Sequence, residues 1–243
     1  MSQPIKDAEF PATFKRSFIH LLTLTLITAV AVWSGQSSSA PEPGSIKWYV
    51  EKAKEQGETS ITMPAPQALY EEITSLDQAL STYHLAIGTP IASETQILDG
   101  RNIYTWYKLR IIESLIPHPN PEVPPGYLPA ALLPVKSNEI VIHRAQGTLT
   151  VDGVRSTVTD PDSQLLTLHQ KYLFFPSPDG SGKFAWLRAG PNAIFVIKPD
   201  NKIAPLVDKQ SLMQIDVDAS TLGSLDSMRK LAKAKAAELA QPK

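Results

Sequence analysis

Four residues on one stretch carry side chains suited to gripping a ligand: Tyr104, Trp106, Lys108 and Arg110. Spaced two apart, they share one face of a strand. Aromatic rings stack on sugars or bases, and cations hold acidic groups. The same stripe arises wherever large aromatics are core, beneath a helix or beneath the proline-rich passage downstream. One substitution separates the two cases. On an open face Trp106→Ala weakens ligand capture and leaves the melting temperature nearly unchanged; in a core it lowers the melting temperature sharply.

Catalysis has less to stand on. The histidines are His20, His84, His118, His143 and His169, and no two sit at metal-ligand spacing on a helix. There is no HExxH, no Gly-rich phosphate loop and no GxSxG elbow. Glu94 with Asp99, or Asp160 with Asp162, come nearest to a carboxylate pair. Asp160-Pro161-Asp162 reads as a solvated turn, whereas calcium takes six or more oxygens. The chain has no cysteine, which excludes disulfides, thiolate chemistry and Cys-ligated metal sites. No catalytic residue, metal or cofactor is assigned. The expectation is a non-enzymatic binding domain; the alternative is an exported hydrolase whose site is assembled from dispersed residues.

The stripe sits on the second arm of a hairpin. Residues 82–97 and 103–115 read as two strands joined at Asp99-Gly100, a turn pair that supplies positive φ cheaply. On the first arm Tyr83, Leu85 and Ile87 point one way, and Gly88 and Pro90 interrupt the run as at a bulge. On the second arm Ile103, Thr105, Tyr107, Leu109 and Ile111 form the natural core face, opposite the stripe.

The rest of the 243 residues positions this pair. Net charge is −1, so no global field draws nucleic acid. The 21 prolines against 12 glycines argue for stiff connections. Lys15-Arg16 precedes an uncharged run, residues 17–33, with Phe18, Leu21, Leu22, Leu24, Leu26 and Val30 among its apolar members, and Ser38-Ser39-Ala40 follows. That is a secretory signal cleaved near Ala40, or an uncleaved anchor with its cationic flank in the cytoplasm. Either sends the remainder into the cell envelope, periplasmic or extracellular, as a domain able to meet an envelope protein or glycan.

Residues 41–66 read as linker with a short helix at 46–56, either lying on a membrane surface or packing on the domain. Leu69, Ile73, Leu76 and Leu80 share one face of a helix of about four turns. Seven prolines between Pro117 and Pro134 mark an insertion at 117–138: a recognition arm with Tyr127 and Leu132-Leu133 as sticky points, or a stiff crossover on the surface. Short strands follow at 139–144, 147–151, 154–158, 170–175, 183–188 and 193–198, with a second turn at Asp152-Gly153. A helix over 221–239 ends the chain, either docking on a partner or packing loosely on its own domain. The divisions are thus 1–40, 41–66, a β-domain at 67–210, and 211–243.

The order of motifs from Thr82 to Leu206 resembles uncharacterised exported bacterial proteins with a small OB-like β-barrel domain. The residues that carry it are the entry 80–88, Ile103-Tyr104-Thr105, Glu113-Ser114-Leu115, Ile140-Val141-Ile142, Gly147 with Asp152-Gly153-Val154, Tyr172-Leu173-Phe174-Phe175, and Gly190-Pro191 before Ile194-Phe195. The proline-rich insertion departs from that pattern. The resemblance implies a mainly β fold, an OB-like barrel with a preceding helix, and export; it transfers no catalytic residue.

Overall fold

The Asp99-Gly100 turn, with φ of 56° and 72°, closes a long hairpin between β2 (Leu85–Leu98) and β3 (Asn102–Ile116). Asp99 and Gly100 both take positive φ in the three-residue loop they form with Arg101, and the Asp99 carboxylate accepts the Arg101 N–H at 3.1 Å. The computed structural model describes residues 40–66, 73–116, 128–160, 164–178, 185–187, 190–207 and 223–241, and every element named here belongs to one compact unit, Glu42–Lys243. Residues 17–33 lie outside the described residues, among which no helix is long and apolar enough to cross a membrane.

The hairpin is the middle of a six-stranded antiparallel sheet. Its other members are β4 (Glu139–Arg144), β7 (Tyr172–Phe174), β10 (Ile194–Ile197) and β11 (Ile203–Pro205), in the order β11-β10-β7-β2-β3-β4. Register shifts in β2 fall between Leu85 and Ala86, Ile87 and Gly88, and Pro90 and Ala92. Pro90 is tolerated because β7 pairs only with Ala86, Ile87 and Gly88; beyond them a loop takes over, and His169 N–H donates to the Pro90 carbonyl at 2.9 Å.

A second sheet has the order β1-β6-β5, made of β1 (Ser60–Pro64), β5 (Gly147–Val151) and β6 (Val154–Thr159). β5 and β6 form the hairpin expected at Asp152-Gly153, whereas β1 joins β6 in parallel. β8 (Ser177–Pro178) and β9 (Ala185–Trp186) make a small separate pair. The fold is mainly β, but among the described residues the strands do not close into a barrel. The reason lies after β4. The chain turns at Gln146-Gly147 and leaves the β4 ladder, so β5 starts a new sheet. The join is tight: Thr105 Oγ1 donates to the Gln146 carbonyl at 2.7 Å and lies 3.0 Å from Thr95 Oγ1.

Helices cover what the sheets leave apolar. α1 (Ile46–Glu55) is started by Ser45, whose hydroxyl accepts the Trp48 N–H at 3.2 Å. It buries Ile46, Val50 and Ala53 against Ile103, Val154 and Val158, so it packs on the domain. With β1 beside it, residues 42–66 are part of the fold rather than a linker. α2 (Leu76–Thr82) has two turns instead of the expected four. Ser75 caps the Gln78 N–H at 3.1 Å while Gln78 Oε1 accepts the Thr74 N–H at 2.7 Å, which fixes the start at Leu76. Leu69 lies outside the described residues, and Ile73 is buried without being helical.

α3 (Leu225–Leu239) is no loose tail. Leu225, Met228 and Ala232 enter the same cluster as Leu80, Leu85, Ile87, Leu173 and Phe195. Arg229 grips both Glu113 oxygens, at 2.6 Å for its closest nitrogen, and Lys235 Nζ reaches Asp77 at 2.9 Å and Glu238 at 3.2 Å. Those acidic partners hold both cations above their ordinary pKa, Glu113 chiefly for Arg229 and Asp77 chiefly for Lys235. The opposite sheet face carries its own core, with Tyr107, Leu109, Ile140, Ile142, Tyr172, Phe174 and Ile194.

Candidate functional site

Cross-strand register puts the stripe where the spacing placed it, on the face opposite Tyr107 and Leu109. Trp106 stands between Glu94 and His143, and Lys108 between Ala92 and Val141. The face is roofed at its centre. Leu128, Leu132 and Val135 of the proline-rich insertion lie over Trp106, Val141 and Ala92, and Trp106 is only 2% exposed. Pro129 and a 3-10 turn at Ala130–Leu132 bend this strap so that Leu132 points inward and Leu133 outward. Tyr127 lies outside the described residues.

The four stripe residues therefore have different surroundings. Trp106 is core. Tyr104 is half-buried and meets the His143 ring edge-on at 5.1 Å. Lys108 donates to the Pro134 carbonyl at 2.9 Å and lies 3.8 Å from the buried Glu139 carboxylate, so its charge fastens the strap. Arg110 is exposed. The stripe is one continuous face, but the strap covers Trp106, leaving Arg110 exposed and Tyr104 and Lys108 partly so.

His143 sits within this roofed face, 4.8 Å from the Trp106 ring centre. Burial, reinforced by the neighbouring Arg144 charge, pushes its pKa down to about 4. The imidazole is therefore neutral in the folded protein at pH 7. As pH falls through about 6.5 the unfolded chain takes up a proton that the folded chain refuses, so stability drops until pH nears 4 and then levels off. The loss reaches roughly 2 kcal/mol by pH 5. The melting-temperature difference between pH 7.5 and 5 is expected to shrink in His143→Phe; an unchanged difference would exclude His143 as its source.

Among the described residues, a surface with more room for a ligand lies along β1. A cleft of about 570 Å³ runs beside this strand, with Gly44, Tyr49, Arg101 and Asn102 opposite. It is lined by Ser60, Thr62 and Pro64 and equally by Ile61 and Met63. Residues from both faces of β1 line it, and so does Val158 of the paired strand β6, so the cleft follows the open edge of β1 and extends over its Ile61–Met63 face.

β1 is that edge. Arg155 N–H donates to the Thr59 carbonyl at 2.9 Å, and Ala65 N–H donates to the Thr159 carbonyl at 2.7 Å. In a parallel ladder alternate residues face the partner, so Ile61 and Met63 complete that series toward β6. Ser60, Thr62 and Pro64 then turn their backbone groups outward, where β1 has no neighbouring strand among the described residues. The edge carries no charged side chain between Ser60 and Pro64, and its one guard is Pro64, which lacks an N–H. Arg101, at the far wall, is paired with Glu42.

Sequence reasoning missed this strand. Its five residues show no long alternation, Pro64 and Pro66 suggest a break, and its partner lies some ninety residues away. The available signal was Ile61 and Met63 flanked by small polar residues. Among the described residues no three His, Asp or Glu side chains converge as a metal site would require. No protein-family model matches the chain, and no curated protein matches its sequence.

Proposed function

We propose that this chain is a non-enzymatic binding domain of the cell envelope, delivered across the inner membrane by residues 17–33, and that it takes up an extended stretch of polypeptide along β1. The observation that carries this reading is the open edge of β1 facing a cleft of about 570 Å³. An unpaired edge offers backbone donors and acceptors to any extended chain, while flanking side chains select among them. A cleft of this size is in the range that holds a short segment. Protein is favoured over glycan because the ring best suited to stack on a sugar, Trp106, lies beneath the strap. The resemblance to exported OB-like domains supports the same destination.

The test is made on the full chain in intact cells. A photoreactive amino acid at Thr62 is expected to capture a polypeptide, and the same group at the exposed Arg110 is not. The tagged protein is expected in the envelope fraction. Capture at neither position would overturn strand uptake, and recovery from the cytosol alone would overturn the location.

A further inference from the structure

We infer that the polypeptide taken up along β1 is β1 of a second copy of this chain, an inference that rests on the strand-uptake reading above. The outward groups of this edge are self-complementary. Pair two copies antiparallel about a two-fold axis at Thr62, and the Thr62 N–H of each donates to the Thr62 carbonyl of the other. Ser60 and Pro64 then stand opposite each other, and each Ser60 N–H donates to the Pro64 carbonyl of the mate. Four hydrogen bonds form. Every outward N–H of β1 is used, because Pro64 has none to leave stranded.

Side chains agree with the backbone. Ser60, Thr62 and Pro64 are exposed and small enough to let a second backbone approach, and a central Thr–Thr pair is favourable across strands. On the other face Ile61 and Met63 are only half-buried against α1, and each would meet the mate's Met63 or Ile61 inside the cleft. An edge bearing net charge would repel its own copy; Ser60–Pro64 bears none. The product is one continuous six-stranded sheet, β5-β6-β1 paired with β1-β6-β5, with the closed isologous symmetry that most homodimers adopt.

The absence of cysteine makes the test clean. In the purified full chain Thr62→Cys is expected to crosslink through a short thiol-reactive bridge to twice the 26.6 kDa chain mass, and Thr150→Cys on β5 is not. Thr62→Pro removes both central bonds without touching the ladder to β6. It is expected to weaken self-association at least tenfold, measured by sedimentation equilibrium, with an unchanged melting temperature at concentrations low enough for the parent chain to be monomeric. Thr62→Lys, which places two like charges on the axis, is expected to do the same and serves if the proline variant does not fold. A chain that stays monomeric, or a dimer indifferent to Thr62→Lys, overturns self-pairing. Capture at Thr62 of a polypeptide other than this chain also overturns it, while leaving strand uptake intact.

Discussion

Trp106→Ala is expected to cost about 3–5 kcal/mol, the usual penalty for emptying a site that held a large buried ring. In a unit of this size that lowers the melting temperature by on the order of 10 °C. The ring is 2% exposed, with the sheet below it and Leu128 and Leu132 above, so nothing nearby collapses readily into the space. Leu132, itself 1% exposed, is the other half of the contact. Leu132→Ala is therefore expected to destabilise as well, and the double variant to cost less than the two together, because both empty the same site. Denaturant unfolding of the four proteins measures this. A melting temperature that barely moves in Trp106→Ala would mean that the strap does not close over the face, and would return the aromatic stripe to candidacy as a ligand surface.

Gly147→Ala is expected to be of similar severity, about 4 kcal/mol, from steric overlap and backbone strain together. Gly147 has φ of 153°, a conformation that side chains disfavour. An added Cβ would lie 2.5 Å from Thr105 Oγ1 and 2.8 Å from Thr95 Cγ2. Neither threonine is free to swing aside. Thr105 Oγ1 is held by the Gln146 carbonyl at 2.7 Å and by Thr95 Oγ1 at 3.0 Å. This is the point where the chain passes from one sheet to the other, so relief by movement would separate the sheets. Gly100→Ala is the matched control: φ is 72° but nothing lies within 4 Å of the added methyl. It is expected to cost only about 1 kcal/mol of backbone strain. Equal melting temperatures for the two variants would refute the account of the join.

What could be read from the sequence was local. Asp99-Gly100 and Asp152-Gly153 announce their hairpins because positive φ is a property of the turn residues themselves. The bulged stretch around Gly88 and Pro90 is legible for another local reason, the missing side chain of glycine and the missing N–H of proline. Alternation also divides β3 correctly into a face with Tyr107 and Leu109 and a face with Trp106 and Lys108. What alternation does not encode is what lies on top. Trp106 becomes core only because Leu132, 26 positions later, folds back over it. The spacing of Ile73, Leu76 and Leu80 marks burial truthfully but not helix, since Ser75 starts the helix between them. Strand spacing suggested a barrel; which strand pairs with which is decided by the turn at Gly147 and by the parallel arrival of β1, both nonlocal events. α3 looked peripheral because its apolar stripe is narrow, yet small residues such as Ala232 are what lets a helix lie close against a sheet.

That last helix sets the order in which the domain can be completed. Met228 and Ala232, neither with any exposed surface, plug the cluster on which β2, β7, β10 and β11 all depend, and α3 is encoded after every one of those strands. A nascent polypeptide leaving a ribosome or a translocation channel amino end first would display those strands with one greasy side still bare until the closing segment emerges. Loss of residues beyond Gly223 would accordingly give a sticky, protease-sensitive fragment instead of a slightly smaller domain.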